Sequence, residues 1–220
     1  MNAPPTVAMV LRAGGEYKTA HVLALLAGVE RYWPYVAMPL RVVVVTNDDD
    51  ATALAVEHRR LLYPWSGWWS KLALFSPDLD DLGDLLYFDL DTVVVGSLED
   101  VAAAGCLTLL QDFYRPAALG SGLMYLPLEC RAAVWAKWLE GPSGFIRRYR
   151  GDQDFLADAL RGVAVECWQA LLPGQVVSYK VAVQPRRQIP ADVRVICFHG
   201  QPRPWSTPDW FARAVQERRQ

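Results

Sequence analysis

The chain alternates short apolar runs with stretches of helical spacing. The first run, Val7 to Leu11, ends at Ala13-Gly14-Gly15, as a strand entering a loop does. Tyr17 to Arg31 carries apolar residues at Val22, Leu23, Leu25, Leu26 and Val29, a spacing that predicts a helix. Arg41 to Thr46 is β-branched almost throughout and predicts a strand buried on both faces. Asn47 to Asp50 closes it and predicts a cap for a helix reaching about His58. Leu85 to Phe88 and Val93 to Val95 read as strands flanking an acidic turn, with further strands at Leu107 to Leu110, Leu123 to Leu126 and Val193 to Phe198. Helices are predicted over Arg131 to Leu139, Asp152 to Arg161 and Pro208 to Arg218, the last with proline in its tolerated first turn. Strands alternating with helices imply an α/β fold: a mixed, mostly parallel central sheet flanked by helices. Ligands of such sheets gather at the carboxyl ends of the strands.

Composition narrows the function classes. With 220 residues, no internal repeat and no low-complexity tract, residues 1–220 read as a single domain. A hydrophobic fraction of 52% beside 21% charged residues describes an ordinary globular chain. The net charge of −2 argues against a nucleic-acid partner. The densest basic patch, Arg147, Arg148 and Arg150, reads as a solvated helix end, with an anionic acceptor or peripheral membrane contact as the alternative. No segment approaches the about 20 apolar residues of a transmembrane span. Cys106, Cys130, Cys167 and Cys197 lie far apart, and the amino-terminal stretch has no export-signal pattern. The expectation is reduced thiols in a cytoplasmic protein. The aromatic cluster Tyr63, Trp65, Trp68 and Trp69 reads as core packing, with stacking on a sugar as the alternative.

Two constellations carry chemistry. In Tyr87-Phe88-Asp89-Leu90-Asp91-Thr92-Val93 an apolar strand runs into two carboxylates spaced i, i+2, which in extended chain share one side. Carboxylates that close repel unless a cation lies near them, and oxygen ligands suit Mg²⁺ or Mn²⁺, ions that also bind phosphates. The alternative is a polar turn capped by aspartates. Near the carboxyl terminus, Phe198-His199-Gly200-Gln201-Pro202-Arg203-Pro204-Trp205 follows a strand with a histidine, a glycine and a proline-stiffened loop bearing a cation. Glycine lets the backbone approach a ligand, and arginine suits phosphate oxygens.

Taken together these segments resemble glycosyltransferase family 8, the glycogenin and lipopolysaccharide galactosyltransferase group. Tyr87 to Asp100 resembles the family's metal-binding segment, and Pro202-Arg203-Pro204-Trp205 resembles its Lys-Pro-Trp ending. Leu119 to Met124 is similar to its Phe-Asn-Ser-Gly segment, Gly151-Asp152-Gln153 to its Gly-Asp-Gln, and Ser70-Lys71-Leu72 to its Thr-Lys-Leu. The matches run in the family's order over nearly the whole chain. The resemblance implies a GT-A fold and transfer of a hexose from a UDP-sugar to an unidentified glycan, lipid-linked, small-molecule or protein acceptor, with retention of configuration. By the same resemblance Asp89 and Asp91 would hold Mn²⁺ or Mg²⁺, Arg203 and Gly200 would bind the diphosphate, and Tyr17 would lie against the base. Lys71 and Asp152 would contact the donor sugar or its phosphate, and Gln153 would lie near the anomeric carbon.

Three departures stand out. Cys197 occupies the position of the family's metal-binding histidine, and a thiol is a poor ligand for a hard ion. The expectation is that His199, two residues on, takes over that place. Gly120 replaces an asparagine and Arg203 a lysine. Two other readings stand beside the transferase: a haloacid-dehalogenase-like phosphatase with Asp89 as nucleophile, and a non-catalytic nucleotide- or glycan-binding protein of the same fold.

Overall fold

The computed structural model describes residues 3–218. Ten strands run in chain order: β1 (Thr6–Leu11), β2 (Val42–Thr46), β3 (Glu57–Arg60), β4 (Leu85–Phe88), β5 (Val93–Val94), β6 (Thr108–Gln111), β7 (Leu119–Leu126), β8 (Glu166–Cys167), β9 (Val176–Ser178) and β10 (Val195–Cys197). Seven form the central sheet in the order β3-β2-β1-β4-β7-β6-β8, and β5-β10-β9 form a second, smaller sheet.

β1 is apolar throughout because both its faces are covered. Val7, Met9 and Leu11 pack with Val22, Leu25 and Val29 of the helix Thr19–Tyr32, while Ala8 and Val10 pack with Trp69, Leu72 and Phe75 on the opposite side. β1 pairs in parallel with β2 on one side and with β4 on the other, so the strand order reverses there. A crevice opens beyond the carboxyl ends at such a reversal. The sheet is mixed, as expected: β7 runs antiparallel to both β4 and β6. That reversal brings the start of β7 beside the end of β4, where the Asp89 amide donates to the Gly122 carbonyl at 2.9 Å.

The structure corrects the sequence reading at several places. The helix expected to reach His58 stops at Thr52, and Glu57–Arg60 is instead an edge strand parallel to β2. Its sequence, Glu-His-Arg-Arg, carries no apolar signal; backbone pairing makes it a strand, and its charges keep the edge from pairing further. The short strands β8 and β9, the smaller sheet, the helix Pro142–Arg148 and two 3-10 turns, Gly67–Phe75 and Pro77–Leu82, also escaped the periodicity. Elements this short span too few residues to show a period.

One buried cation secures those turns. Arg131, on the helix Leu128–Leu139 and 1% exposed, donates to the carbonyls of Leu74 (3.2 Å), Leu79 (3.3 Å) and Gly83 (3.2 Å) and pairs with Asp80 at 3.3 Å. The fork of a guanidinium can reach several carbonyls where an ammonium cannot. Arg131→Lys is therefore expected to lower stability by about 1–3 kcal/mol in urea unfolding, because buried carbonyls lose their donor.

Candidate active site

A cleft of about 850 Å³ lies beyond the ends of β1 and β4, lined among others by Tyr17, Trp68, Lys71, Asp89, Asp91, Asp152, Gln153, His199, Gly200 and Arg203. Asp89 and Asp91 are not in extended chain. They form a turn closed by the Thr92 amide donating to the Asp89 carbonyl at 2.9 Å, so their side chains take separate partners. Asp89 Oδ1 accepts from Lys71 Nζ at 2.8 Å and from the Tyr87 hydroxyl. Asp91 Oδ2 accepts from the Tyr17 hydroxyl at 3.0 Å and from Arg203.

Lys71 and Arg203 are each shared between two acids. Lys71, buried, also has its Nζ 3.4 Å from Asp152 Oδ2 and donates to Ser121 Oγ at 3.2 Å, while Ser121 Oγ donates to Asp152 at 2.5 Å. Two carboxylates around one ammonium hold Lys71 charged, well above its ordinary range, in spite of burial. Asp152, with only a share of that cation, is raised, burial being the main cause. Arg203 makes two bonds to Glu16 (3.0 and 2.8 Å) besides its contact with Asp91, and its guanidinium lies 5.3 Å from the Tyr17 ring centroid. Beside it, Trp205 stacks on His21 at 3.8 Å.

Asp91 is a buried carboxyl with a second one close by. Burial, then repulsion from Asp89, push its pKa up to about 6 against the opposing pull of Arg203 and Tyr17. Its Oδ1 is buried and has no hydrogen-bond partner among the described residues. An orphaned carboxylate oxygen two residues from a second carboxylate fits a hard divalent ion, since Mg²⁺-like ions commonly take one or two protein carboxylates and complete their shell with water and phosphate. Glycine at 122 matters here: a Cβ there would stand 3.3 Å from Asp89 Oδ2.

The structure does not bring His199 to this pair. Its Nε2 lies 2.6 Å from Ser178 Oγ, its ring stacks on Phe113 at 5.5 Å, and its pKa is lowered by burial and then by Lys180. Cys197 also lines the cleft, and its thiol is pushed far up by burial, then by Asp91 and Asp89. β10 ends at Cys197, and the alternation of faces on which the expectation for His199 rested ends with it. Among the described residues no three His, Cys, Asp or Glu side chains form a group able to hold a metal ion. Gln153 lines the cleft and donates to Asp112 at 3.3 Å. Gly200 has a φ of +68°, a conformation that favours glycine. Of the aromatic cluster, Tyr63 stacks on Trp65 at 4.7 Å and Trp69 on Trp138 at 5.5 Å, while Trp68 is 57% exposed and lines the cleft.

Glu16, Tyr87, Ser121 and Lys180 belong to the site but were not assigned to it by sequence. Glu16, Tyr87 and Ser121 neighbour or lie within segments already singled out; Lys180 had no such signal.

No protein-family model matches the sequence, and no curated protein matches it. Solved structures do match its shape. The glycosyltransferase GlyE of Streptococcus pneumoniae TIGR4 superposes with a TM-score of 0.67 over 99% of this chain and 62% of that one, at 12% identity. The galactosyltransferase LgtC in complex with donor and acceptor sugar analogues gives 0.62 over 97% of this chain and 93% of that one, at 15% identity. The apo bifunctional glycosyltransferase WbbM gives 0.65 over 100% of this chain and 50% of that one, at 12% identity. The chain thus spans less than two thirds of GlyE and about half of WbbM, and nearly all of LgtC. At these identities the likeness concerns shape, and it establishes that this chain has the GT-A fold of those glycosyltransferases.

Proposed function

We propose that the chain is a metal-dependent glycosyltransferase that moves a hexose from a UDP-sugar to a hydroxyl acceptor with retention of configuration. One observation carries this reading. In a GT-A fold, at the strand-end cleft, two neighbouring carboxylates include an orphaned buried oxygen, and cations hold the other oxygens of both. Asp89 and Asp91 would hold the divalent ion, which when bound neutralises charge growing on a departing diphosphate. Lys71, with Tyr87, fixes the Asp89 carboxylate, and Arg203 and Tyr17 fix that of Asp91, so neither must reorganise on binding. Asp152, locked by Ser121 and Lys71, is positioned to accept hydrogen bonds from sugar hydroxyls, with Gln153 beside it. Transfer breaks the bond between the anomeric carbon and the phosphate oxygen and forms one to the acceptor oxygen on the same face. The acceptor proton leaves with the phosphate. Trp68, exposed at the cleft, offers an apolar face for a sugar.

The phosphatase alternative loses its support: the aspartate pair follows the fourth strand of a GT-A sheet, whereas that motif follows the first strand of its own fold. Calorimetric titration of UDP with Mn²⁺, repeated in EDTA, tests the proposal. Binding is expected with the metal and is expected to disappear in EDTA; no UDP binding under either condition would refute the donor assignment.

A further inference from the structure

We infer that Lys180 is the cation that receives the donor's diphosphate, and that Arg203 instead holds the metal-binding aspartate in place. This inference rests on the donor reading proposed above. It follows from where the positive charges of the cleft are committed. Lys71 is enclosed between Asp89 and Asp152. Arg115 is paired with Asp112 at 3.1 Å and Asp154 at 3.4 Å. Arg203 faces two carboxylates, Glu16 through two bonds and Asp91 through a third. One positive charge between two negative ones has no surplus to attract a phosphate. In this structure Arg203 is thus committed to Glu16 and to Asp91, which is 2% exposed.

Lys180 differs on each point. It lines the cleft and has no acidic partner among the described residues. Its Nζ lies 3.6 Å from where a Cβ would stand on Gly200, so the ammonium lies over bare backbone in the segment leading to Arg203.

The backbone that carries Lys180 is firmly held. Ser178 Oγ accepts from the Val181 amide at 3.2 Å and is bonded to His199 at 2.6 Å. Tyr179 is fully buried and stacks on Phe198 at 4.5 Å, and Val183 is fully buried on the far side. A fixed stem with a free ammonium in a cleft is what a phosphate contact requires. The remaining cations without acidic partners fit less well. Arg12 donates to the carbonyls of Tyr63 and Pro64, and Arg150 adjoins Gly151, against which Trp68 packs.

The test is titration of wild type, Lys180→Met and Lys180→Arg with UDP, inorganic pyrophosphate and uridine, all with Mn²⁺, after thermal melts confirm that each variant is folded. Lys180→Met is expected to weaken UDP and pyrophosphate about tenfold to a hundredfold, as loss of a charged hydrogen bond does. Uridine, lacking phosphate, is expected to bind equally well, and Lys180→Arg to recover most of the loss. UDP affinity within twofold of wild type in Lys180→Met would overturn the inference while leaving the donor reading intact. An equal loss for uridine would also overturn it, by showing a merely structural role. Lys180-dependent binding of pyrophosphate without any binding of UDP would uphold the phosphate contact and refute the donor reading. Failure of wild type to bind either compound would overturn both.

Discussion

Asp91→Asn is expected to abolish the metal-dependent part of UDP binding and to lower sugar transfer at least about a hundredfold, the scale of losing a preorganised charge at a transition state. An amide keeps the size of the side chain and its contact with Tyr17 but removes the negative charge from the orphaned Oδ1. Stability is expected to move the other way. Burial and Asp89 raise the Asp91 pKa in the folded chain from its ordinary 3.8 to about 6. For an acid raised on folding, the ionised form costs stability above the folded pKa, and that cost is absent below the unfolded one. In EDTA the variant should therefore melt no lower than wild type at pH 8, and its relative advantage should shrink between pH 6 and 4. Arg203 retains Glu16 in the variant, which limits the offsetting loss. Unchanged metal-dependent UDP binding in Asp91→Asn would remove Asp91 from the metal site.

Lys71→Met is expected to cost about 3–5 kcal/mol of stability, the scale for breaking a buried ion pair from one side, and to lower the melting temperature by roughly 10 °C. The ammonium is buried, and its loss leaves Asp152, also buried, and Asp89 facing each other without a counterion. The dependence on pH follows from Asp152. Burial already raises its pKa, and Lys71 is the first influence opposing that rise. Without the lysine the folded-state pKa climbs further above the unfolded one. The deficit of the variant should grow as pH rises and shrink in acid, where the carboxyl is neutral in both states. Adding Asp152→Asn should recover part of the loss at neutral pH by removing one of the stranded charges. If Lys71→Met melts like wild type at pH 8, the buried triad contributes no stability and Lys71 serves binding alone.

Much of the fold was legible because it rests on local periodicity. The apolar run Val7 to Leu11, ending at glycines, reads as a strand, and the spacing of Val22, Leu25, Leu26 and Val29 reads as a helix, which in the structure covers one face of that strand. The aspartate pair was legible for the same reason: an apolar strand breaking into Asp89-Leu90-Asp91 marks a strand end, where an α/β sheet keeps its crevice. The edge strand Glu57–Arg60 was not, because its signal lies in β2, whose unpaired backbone recruits it.

Sequence alone thus determined the layered α/β order, the carboxylates at the strand end and, through collinear segments, a resemblance whose fold the structure bears out. Tertiary structure alone decided which charge meets which. Arg203 reaches Asp91 across 112 residues and Glu16 across 187. It also decided that His199 takes Ser178 and Phe113 as neighbours, and that Lys180 lines the cleft with no acidic partner among the described residues. The physical reason is range. Periodicity reports burial of neighbours a few residues apart, whereas a counterion is chosen by whatever the packed sheet brings within a few ångströms, and no local pattern encodes that distance.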